Sequence, residues 1–138
     1  MTSHNYFLTP GAVDDIREAG DWSLESWGKE KTVQYLTELH DKLEYIAANF
    51  KIFENNKTSE DLSGGTGLLL YPSDKHYIVY VPINERSIVV AAVIRQGRDI
   101  PSILQKDGFT IRRELQEISE RIERGLIDPN ERTKDMEI

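Results

Sequence analysis

SIVVAAVIRQGRD (residues 87–99) is the stretch of sequence that decides the fold. From Ile88 to Ile94 it contains only Val, Ile and Ala, and such a short continuous apolar run predicts a strand buried on both faces. The run stops at Arg95, and Arg98 follows three residues later. A strand needs no such ending for its stability, so the two arginines are candidates for contact with a partner.

Three further segments predict the rest of a small sheet. HYIVYVP (residues 76–82) is rich in β-formers, GLLLY (67–71) is a shorter candidate, and HNYFLT (4–9) reads as a short strand at the start. Residues 83–86 are few enough for a hairpin turn leading into the strand at 87–95. Because the strands at residues 76–82 and 87–95 have apolar residues on both faces, they should lie centrally, with helices covering one side.

Two helices should separate the first strand from the others. Thr9 followed by Pro10 is typical of a helix start, with Thr as N-cap and Pro where its missing N–H needs no partner. Helical spacing continues to Trp27, and Gly28 is the natural break. A second helix, residues 29–49, carries one apolar stripe: Leu36, Leu39, Leu43 and Ile46. The short connection predicts an antiparallel hairpin.

A highly charged helix is predicted after residue 108, with a narrow apolar stripe: Ile111, Leu115, Ile118, Ile122 and Leu126. The element order predicts an α+β fold, β-α-α-β-β-β, with a helical hairpin packed on a small, mostly antiparallel sheet and a C-terminal helix added. We predict one domain over residues 1–107 and a helical extension with a frayed tail over residues 108–138. The extension should pack on its own sheet, on a second copy or on a partner.

Composition and charge exclude several classes of protein. The net charge is −7 and the pI is about 5.0, so the chain repels phosphate backbones on average and direct nucleic-acid binding is disfavoured. The absence of cysteine fits a reducing compartment. The N-terminal sequence has no secretory pattern, and the longest apolar run is too short to span a bilayer. We therefore expect a cytoplasmic protein that does not enter a membrane.

Motifs for catalysis or for cofactor binding are not evident in the sequence. The histidines at positions 4, 40 and 76 are scattered and no cysteine accompanies them, so no metal site is predicted. SGGTG (residues 63–67) lacks the Lys-Ser or Lys-Thr of a phosphate loop and is expected to be a flexible turn. Neither a G-x-S-x-G elbow nor a cysteine nucleophile is present. We expect no catalytic residue, no metal and no cofactor.

The aromatic side chains of the central strands are the first candidates for partner binding. Tyr71, His76 and Tyr80 crowd this region, and period-two spacing places His76 and Tyr80 on one strand face and Tyr77 on the other. One face must meet the helices. The polar aromatic side chains are therefore either ordinary half-buried sheet residues or part of a binding surface over an open groove.

Charged and aromatic residues near the ends of elements are the second candidates. Arg95 and Arg98 either solvate the end of the strand or recognise an acidic partner through planar, bidentate guanidinium groups. Trp22 and Trp27 flank the helix junction. We interpret them as core residues of the helical hairpin, with an exposed aromatic anchor for a partner as the alternative.

Several of these motifs, in this order, resemble ParE-type toxins of the RelE/ParE superfamily, the toxin halves of bacterial type II toxin–antitoxin modules. YFLTPGAVDDIREAGDWSLESWGKEKTVQYLTEL (residues 6–39) resembles the opening strand and helix pair of that family. The matching positions are Ala12, Asp15, Trp27, Gly28, Tyr35 and Leu36. LEYIAANF (43–50) resembles a segment that usually ends in Asn-Pro, with Phe50 here in place of the proline.

The strands extend the resemblance to about residues 6–104. GLLLYPSDKHYIVYVP (residues 67–82) is similar to a strand pair built around a His followed by Ile-x-Tyr, and VVAAVIRQGRD (89–99) is similar to the closing strand with its Arg-x-Asp-like ending. Two features depart from the family pattern. Arginines often follow the Gly that opens the first of the three strands, whereas Leu68, Leu69 and Leu70 stand here, and the helix after residue 108 lies beyond the usual family end.

The resemblance implies a compact toxin that is neutralised by a cognate ParD-like antitoxin, in a hetero-oligomer with it. ParE-like members poison DNA gyrase and have no catalytic residues, whereas RelE-like relatives cut mRNA in the ribosome with a basic cluster and a Tyr. The acidic charge favours the gyrase-directed toxin over the mRNA endonuclease, and a non-toxic interaction module is a third hypothesis. Tyr71, His76, Tyr80, Arg95 and Arg98 are the residues we expect to contact the antitoxin or the target.

Overall fold

The apolar run at residues 87–95 forms an inner strand of a four-stranded sheet. The computed structural model describes residues 5–53, 62–63, 66–73 and 75–125. Over these residues the strands are β1 (Asn5–Leu8), β2 (Leu69–Ser73), β3 (His76–Asn84) and β4 (Ser87–Arg95). Their order across the sheet is β1-β4-β3-β2, with β1 parallel to β4 and the other neighbours antiparallel. The predicted α+β fold and the mostly antiparallel sheet are confirmed.

A β-bulge sets which side chains of β4 face which layer. The register between β3 and β4 shifts between Val79 and Tyr80, which leaves Ala91 as an extra residue of β4. Beyond a bulge the alternation of side chains is displaced by one residue, so Val90 and Val93 pack in the same core although they are three residues apart. On β3, which has no extra residue here, the predicted period-two alternation holds.

The helical hairpin begins, and changes from one helix to the next, where the sequence predicted. Helix α1 (Pro10–Trp27) starts at the N-cap Thr9, whose side chain accepts a hydrogen bond from the Ala12 N–H and donates one to the Ala91 carbonyl of β4. Gly28 separates the helices with φ 86°, a conformation that favours glycine. Helix α2 (Lys29–Phe53) ends four residues later than predicted. The cap of α1 therefore also fastens the hairpin to the sheet.

Helix α3 (Ile100–Glu123) begins eight residues before the predicted start at residue 108. Asp99 is its N-cap and accepts a hydrogen bond from the Ser102 N–H, with a proline in the first turn. Gly108 lies inside the helix, where it costs about 1 kcal/mol relative to alanine but does not end the helix. The predicted domain boundary between residues 107 and 108 thus falls within α3.

Helices cover both faces of the sheet, so of the two alternatives for the polar aromatic side chains the structure favours half-buried sheet residues over a binding surface above an open groove. On one face α1 and α2 enclose a core that includes Ile78 and Tyr80. On the other, α3 places Ile100, Leu104 and Ile111 against β3 and β4, where Tyr77 and Val79 point. Because helices cover both sheet faces, partner-binding side chains must lie at the ends of the strands or on the helices.

Within the described ranges, no helix is long and apolar enough to cross a membrane.

Candidate partner-binding site

Three of the five predicted binding residues meet at one end of the sheet. His76, the first residue of β3, pairs with Arg95, the last residue of β4. Arg98 follows in the turn after β4, and all three line a cleft of about 230 Å³ between the strand ends and α1. The other residues used below that line this cleft are Asp15, Glu18, Trp22, Trp27, Tyr35 and Lys75. We call it the tryptophan cleft.

The other two predicted residues lie elsewhere. Tyr80 is 0% exposed and packs in the core under α1 and α2, so it is not available to a partner in this fold. Tyr71 lies on the edge strand β2, with its ring 4.9 Å from that of Phe53 and 6.3 Å from that of Tyr45. Desolvation, and to a lesser extent Tyr45, raise the pKa of the Tyr71 hydroxyl. Tyr71 therefore belongs to an aromatic group at the end of α2 and not to the tryptophan cleft.

The tryptophans are not core residues, which corrects the interpretation from the sequence. Trp22 and Trp27 are 46% and 47% exposed, and their rings meet edge to face with 4.8 Å between centroids. The hairpin contact at this level uses small residues instead, since Gly20 and Ser23 are the buried positions at the end of α1. Small side chains let the two helices approach closely, which leaves no room for an indole between them. The alternative of an exposed aromatic anchor fits this geometry.

Each tryptophan carries a cation on its ring. The Arg95 guanidinium lies 5.4 Å from the Trp22 ring centroid, and the Lys75 ammonium lies 5.3 Å from the Trp27 ring centroid. Both distances are within the range of cation–π attraction. A guanidinium that lies over a ring keeps its N–H groups directed outward in the plane, where they remain able to bind a carboxylate. The indoles thus hold the two cations in place without neutralising them.

Carboxylates of the described residues form no ion pair with these cations either. In the part of the chain that the structure describes, the side-chain ion pairs within 4.0 Å are His40 with Glu44 and Lys51 with Glu85. Lys75, Arg95 and Arg98 take part in none of them, and all three are exposed. The tryptophan cleft therefore presents three cations that form no ion pair with a described residue, against the two carboxylates of Asp15 and Glu18, on a protein whose net charge is −7.

Asp15 lies on the α1 side of the tryptophan cleft. One of its carboxylate oxygens, Oδ2, accepts a hydrogen bond of 3.0 Å from the Val93 N–H of β4. Burial raises the pKa of this carboxyl from 3.8 to about 6; the Val93 N–H opposes the shift, and Glu18, Asp14 and Asp107 add to it by repulsion. The hydrogen bond from Val93 to Asp15 thus links β4 to α1, but partial burial makes the ionised form of this carboxyl unfavourable.

Hydrogen bonds fix the strand ends that form the cleft. The Gln96 N–H donates to the Lys75 carbonyl at 2.7 Å, and the Gln96 side-chain amide donates to the His76 carbonyl at 3.1 Å. The Tyr35 hydroxyl of α2 lies 3.2 Å from Nδ1 of His76. Lys75 and His76 are therefore held next to the end of β4 by contacts with both the strand and the helical hairpin.

Sequence reasoning missed several residues of this site. Lys75 and Asp15 were not proposed as members of any binding site. A signal for Lys75 did exist. The short turn after β3 makes a hairpin in which His76 lies opposite Arg95, and Lys75 immediately precedes His76 in the chain. For Asp15 the sequence offers no such signal, since it is one of 24 acidic residues and its contact with Val93 spans 78 positions. Among the described residues, no three His, Cys, Asp or Glu side chains are grouped so that they could hold a metal ion.

Comparison with known proteins places the strands and the helical hairpin in one family. The family described as the ParE toxin of type II toxin–antitoxin systems, parDE, matches residues 6–100. This chain belongs to the ParE toxin family. Toxin ParE1 of Mycobacterium tuberculosis, in strains CDC 1551 / Oshkosh and ATCC 25618 / H37Rv, is 29% identical over 98 residues, which are 71% of this chain and 95% of the relative. The resemblance inferred from the sequence is confirmed.

The ParE match ends at residue 100, where α3 begins, so this helix lies beyond the matched part of the chain. The two departures from the family pattern are linked through it. Leu68 and Leu70, which the resemblance marked as a departure from the family pattern, are buried in the same cluster as Leu104 of α3. The apolar residues before and within β2 therefore belong to the same core as α3.

Proposed function

We propose that this ParE-family chain is a toxin that a ParD-like antitoxin neutralises, and that it acts by binding DNA gyrase. The observation that carries the proposal is the family match, which covers the whole β-α-α-β-β-β unit from residue 6 to residue 100. Toxin ParE1, the relative in M. tuberculosis, is a toxin by name and is covered over 95% of its length. The proposal extends to this chain the partner and target that the family resemblance implies.

The charge of the molecule supports a protein target over a nucleic-acid one. With a net charge of −7, the chain must overcome repulsion to approach a phosphate-rich site, and phosphate contacts require lysines or arginines. The tryptophan cleft offers three such cations beside two exposed indoles. Aromatic rings flanked by arginine are typical of the residues that dominate protein–protein binding energy.

A second candidate function is ribosome-dependent cleavage of mRNA. The tryptophan cleft holds Lys75, Arg95 and Arg98 together with Tyr35, and a basic cluster with a tyrosine is what the resemblance associates with RelE-like relatives. The two functions differ in the molecule that is damaged. Gyrase poisoning traps cleaved DNA, whereas mRNA cleavage leaves DNA intact and shortens transcripts.

Induced expression separates the two functions. The chain is expressed from a tightly regulated promoter, and growth, plasmid supercoiling, gyrase–DNA cleavage complexes and transcript length are followed in the same cultures. We expect growth arrest, loss of negative supercoiling and accumulation of cleavage complexes. Growth should be restored when a candidate antitoxin, sought as a short reading frame adjacent to the gene of this chain, is co-expressed. Growth arrest with intact supercoiling and cleaved transcripts would replace the gyrase proposal with the endonuclease. Unhindered growth would leave an interaction module without toxicity.

A further inference from the structure

We propose that the tryptophan cleft is the docking site for an acidic segment of the antitoxin, whose carboxylates bind Arg95, Arg98 and Lys75 while an apolar side chain covers Trp22 and Trp27. The inference rests on the proposed function, because it takes the antitoxin as the partner. It adds the location of the contact and the chemistry of the segment that makes it.

Charge complementarity is the first argument. Three exposed cations line one cleft, and no carboxylate of the described residues forms an ion pair with them within 4.0 Å. On a surface that is acidic overall, these cations mark the place where an incoming carboxylate meets attraction. Asp15 and Glu18 line the same cleft and exclude negative charge from its α1 side, so the acidic groups of the partner should lie on the side of the strand ends.

Preorganisation is the second argument. Arg95 lies over Trp22 and Lys75 lies over Trp27, so each long side chain is already restrained before a partner arrives. Ordering a flexible side chain opposes binding, and part of that cost is met here within the free protein. Arg98 follows Gly97, whose φ of 93° a residue with a side chain rarely adopts. The backbone that positions this arginine therefore depends on the glycine.

The shape of the site favours a peptide over a nucleic acid. A volume of about 230 Å³ admits a few side chains, and its two indoles offer apolar surface between the cations. A peptide can alternate carboxylates with apolar residues to match this arrangement. An oligonucleotide carries a phosphate at every nucleotide, and the acidic surface of the protein repels each of these phosphates.

The test uses the full chain and the purified protein encoded by the adjacent short reading frame, whose tryptophans are first replaced by phenylalanine. Trp22 and Trp27 are the only tryptophans of this chain, so its intrinsic fluorescence reports the cleft alone. On titration we expect the emission to move to shorter wavelength as both indoles lose contact with water. Calorimetry on the same pair gives the dissociation constant.

Two variants remove the proposed contacts, and a third is their matched control. Arg95→Ala with Arg98→Ala should weaken binding about 10- to 100-fold and make the dissociation constant less sensitive to salt, and Trp22→Ala should weaken it by a similar factor. Phe109 and Arg113 form another exposed aromatic–cation pair, 5.9 Å apart on α3. Phe109→Ala with Arg113→Ala should leave the dissociation constant within about twofold of the wild type.

Three results would overturn the inference. In the first, the protein encoded by the adjacent reading frame binds, but the tryptophan emission does not move and the cleft variants bind within twofold of the wild type. The docking site then lies elsewhere, and the proposed function still stands. If the adjacent protein does not bind the wild-type chain, the inference and the antitoxin part of the proposed function both fail. A single-stranded RNA 12-mer that binds the wild type and is lost in the same variants would assign the cleft to nucleic acid.

Discussion

Replacing Asp15 by asparagine should stabilise the protein at neutral pH although it alters a residue in contact with the core. The carboxyl group titrates near pH 6 in the folded protein and near 3.8 when solvated. A difference of about two pH units corresponds to at most about 3 kcal/mol at neutral pH. Asp15 is only partly buried, so screening by solvent reduces the expected effect to about 1–2 kcal/mol.

The sign of the effect follows from proton binding. Between about pH 4 and pH 6 the folded protein holds a proton on Asp15 that the unfolded chain has released, so stability from this group falls as the pH rises through this interval. Above about pH 7 both states are ionised and the loss is complete. An asparagine oxygen can still accept the bond from the Val93 N–H but carries no charge. The advantage of Asp15→Asn should therefore be largest above pH 7 and vanish near pH 4.

Urea unfolding at intervals from pH 4 to pH 8 measures this dependence. Asp41→Asn is the control, since Asp41 is an exposed acid on α2, and its stability curve should run parallel to that of the wild type. The reasoning is refuted if Asp15→Asn is less stable than the wild type by a similar amount at every pH. That result would mean that the ionised carboxylate binds the Val93 N–H strongly enough to outweigh its desolvation.

Three further substitutions test the fold, each by urea unfolding. Leu104→Ala should cost about 2–5 kcal/mol because this α3 side chain is fully buried, and a loss below 1 kcal/mol would show that α3 is not part of the core. Gly28→Ala should cost about 1–3 kcal/mol because the φ of Gly28 is 86° and its ψ is 178°. Gly108→Ala, inside α3, should stabilise by about 1 kcal/mol, and equal effects of the two substitutions would contradict the different backbone conformations of the two glycines. Thr9→Ala should cost about 1–2 kcal/mol, and Thr9→Ser should recover most of that loss by restoring the cap of α1.

Local signals in the sequence were sufficient for most of the fold. The unbroken apolar run of β4 predicted an inner strand, and Thr9-Pro10 and Gly28 gave both ends of α1 because caps depend on residues that are adjacent in the chain. The start of α3 was missed although Asp99 and Pro101 carry the same kind of signal. The predicted start after residue 108 was too late, because the tertiary contacts of Leu104 and Ile111 on both sides of Gly108 keep the helix continuous.

The candidate site was less accessible from the sequence because its members come from four separate segments. Arg95 and Arg98 were recognised from the abrupt end of an apolar run, which is a local feature. The exposure of Trp22 depends on how closely α1 approaches α2, and this is set by Gly20 together with the residues of the partner helix. Residue type alone favours burial of a tryptophan, so only the packing of the hairpin could reverse that expectation.

The added helix changes which surfaces of this ParE-family fold remain open. Leu68 and Leu70 are buried in the same apolar cluster as Leu104 of α3, and arginines at these two positions would lose their hydration without a partner to replace it. Leucines at these positions therefore fit the apolar cluster to which α3 contributes, whereas charged side chains there would not. The exposed arginines and lysine of the tryptophan cleft lie outside the contact with α3, so an acidic partner can reach them without displacing the helix.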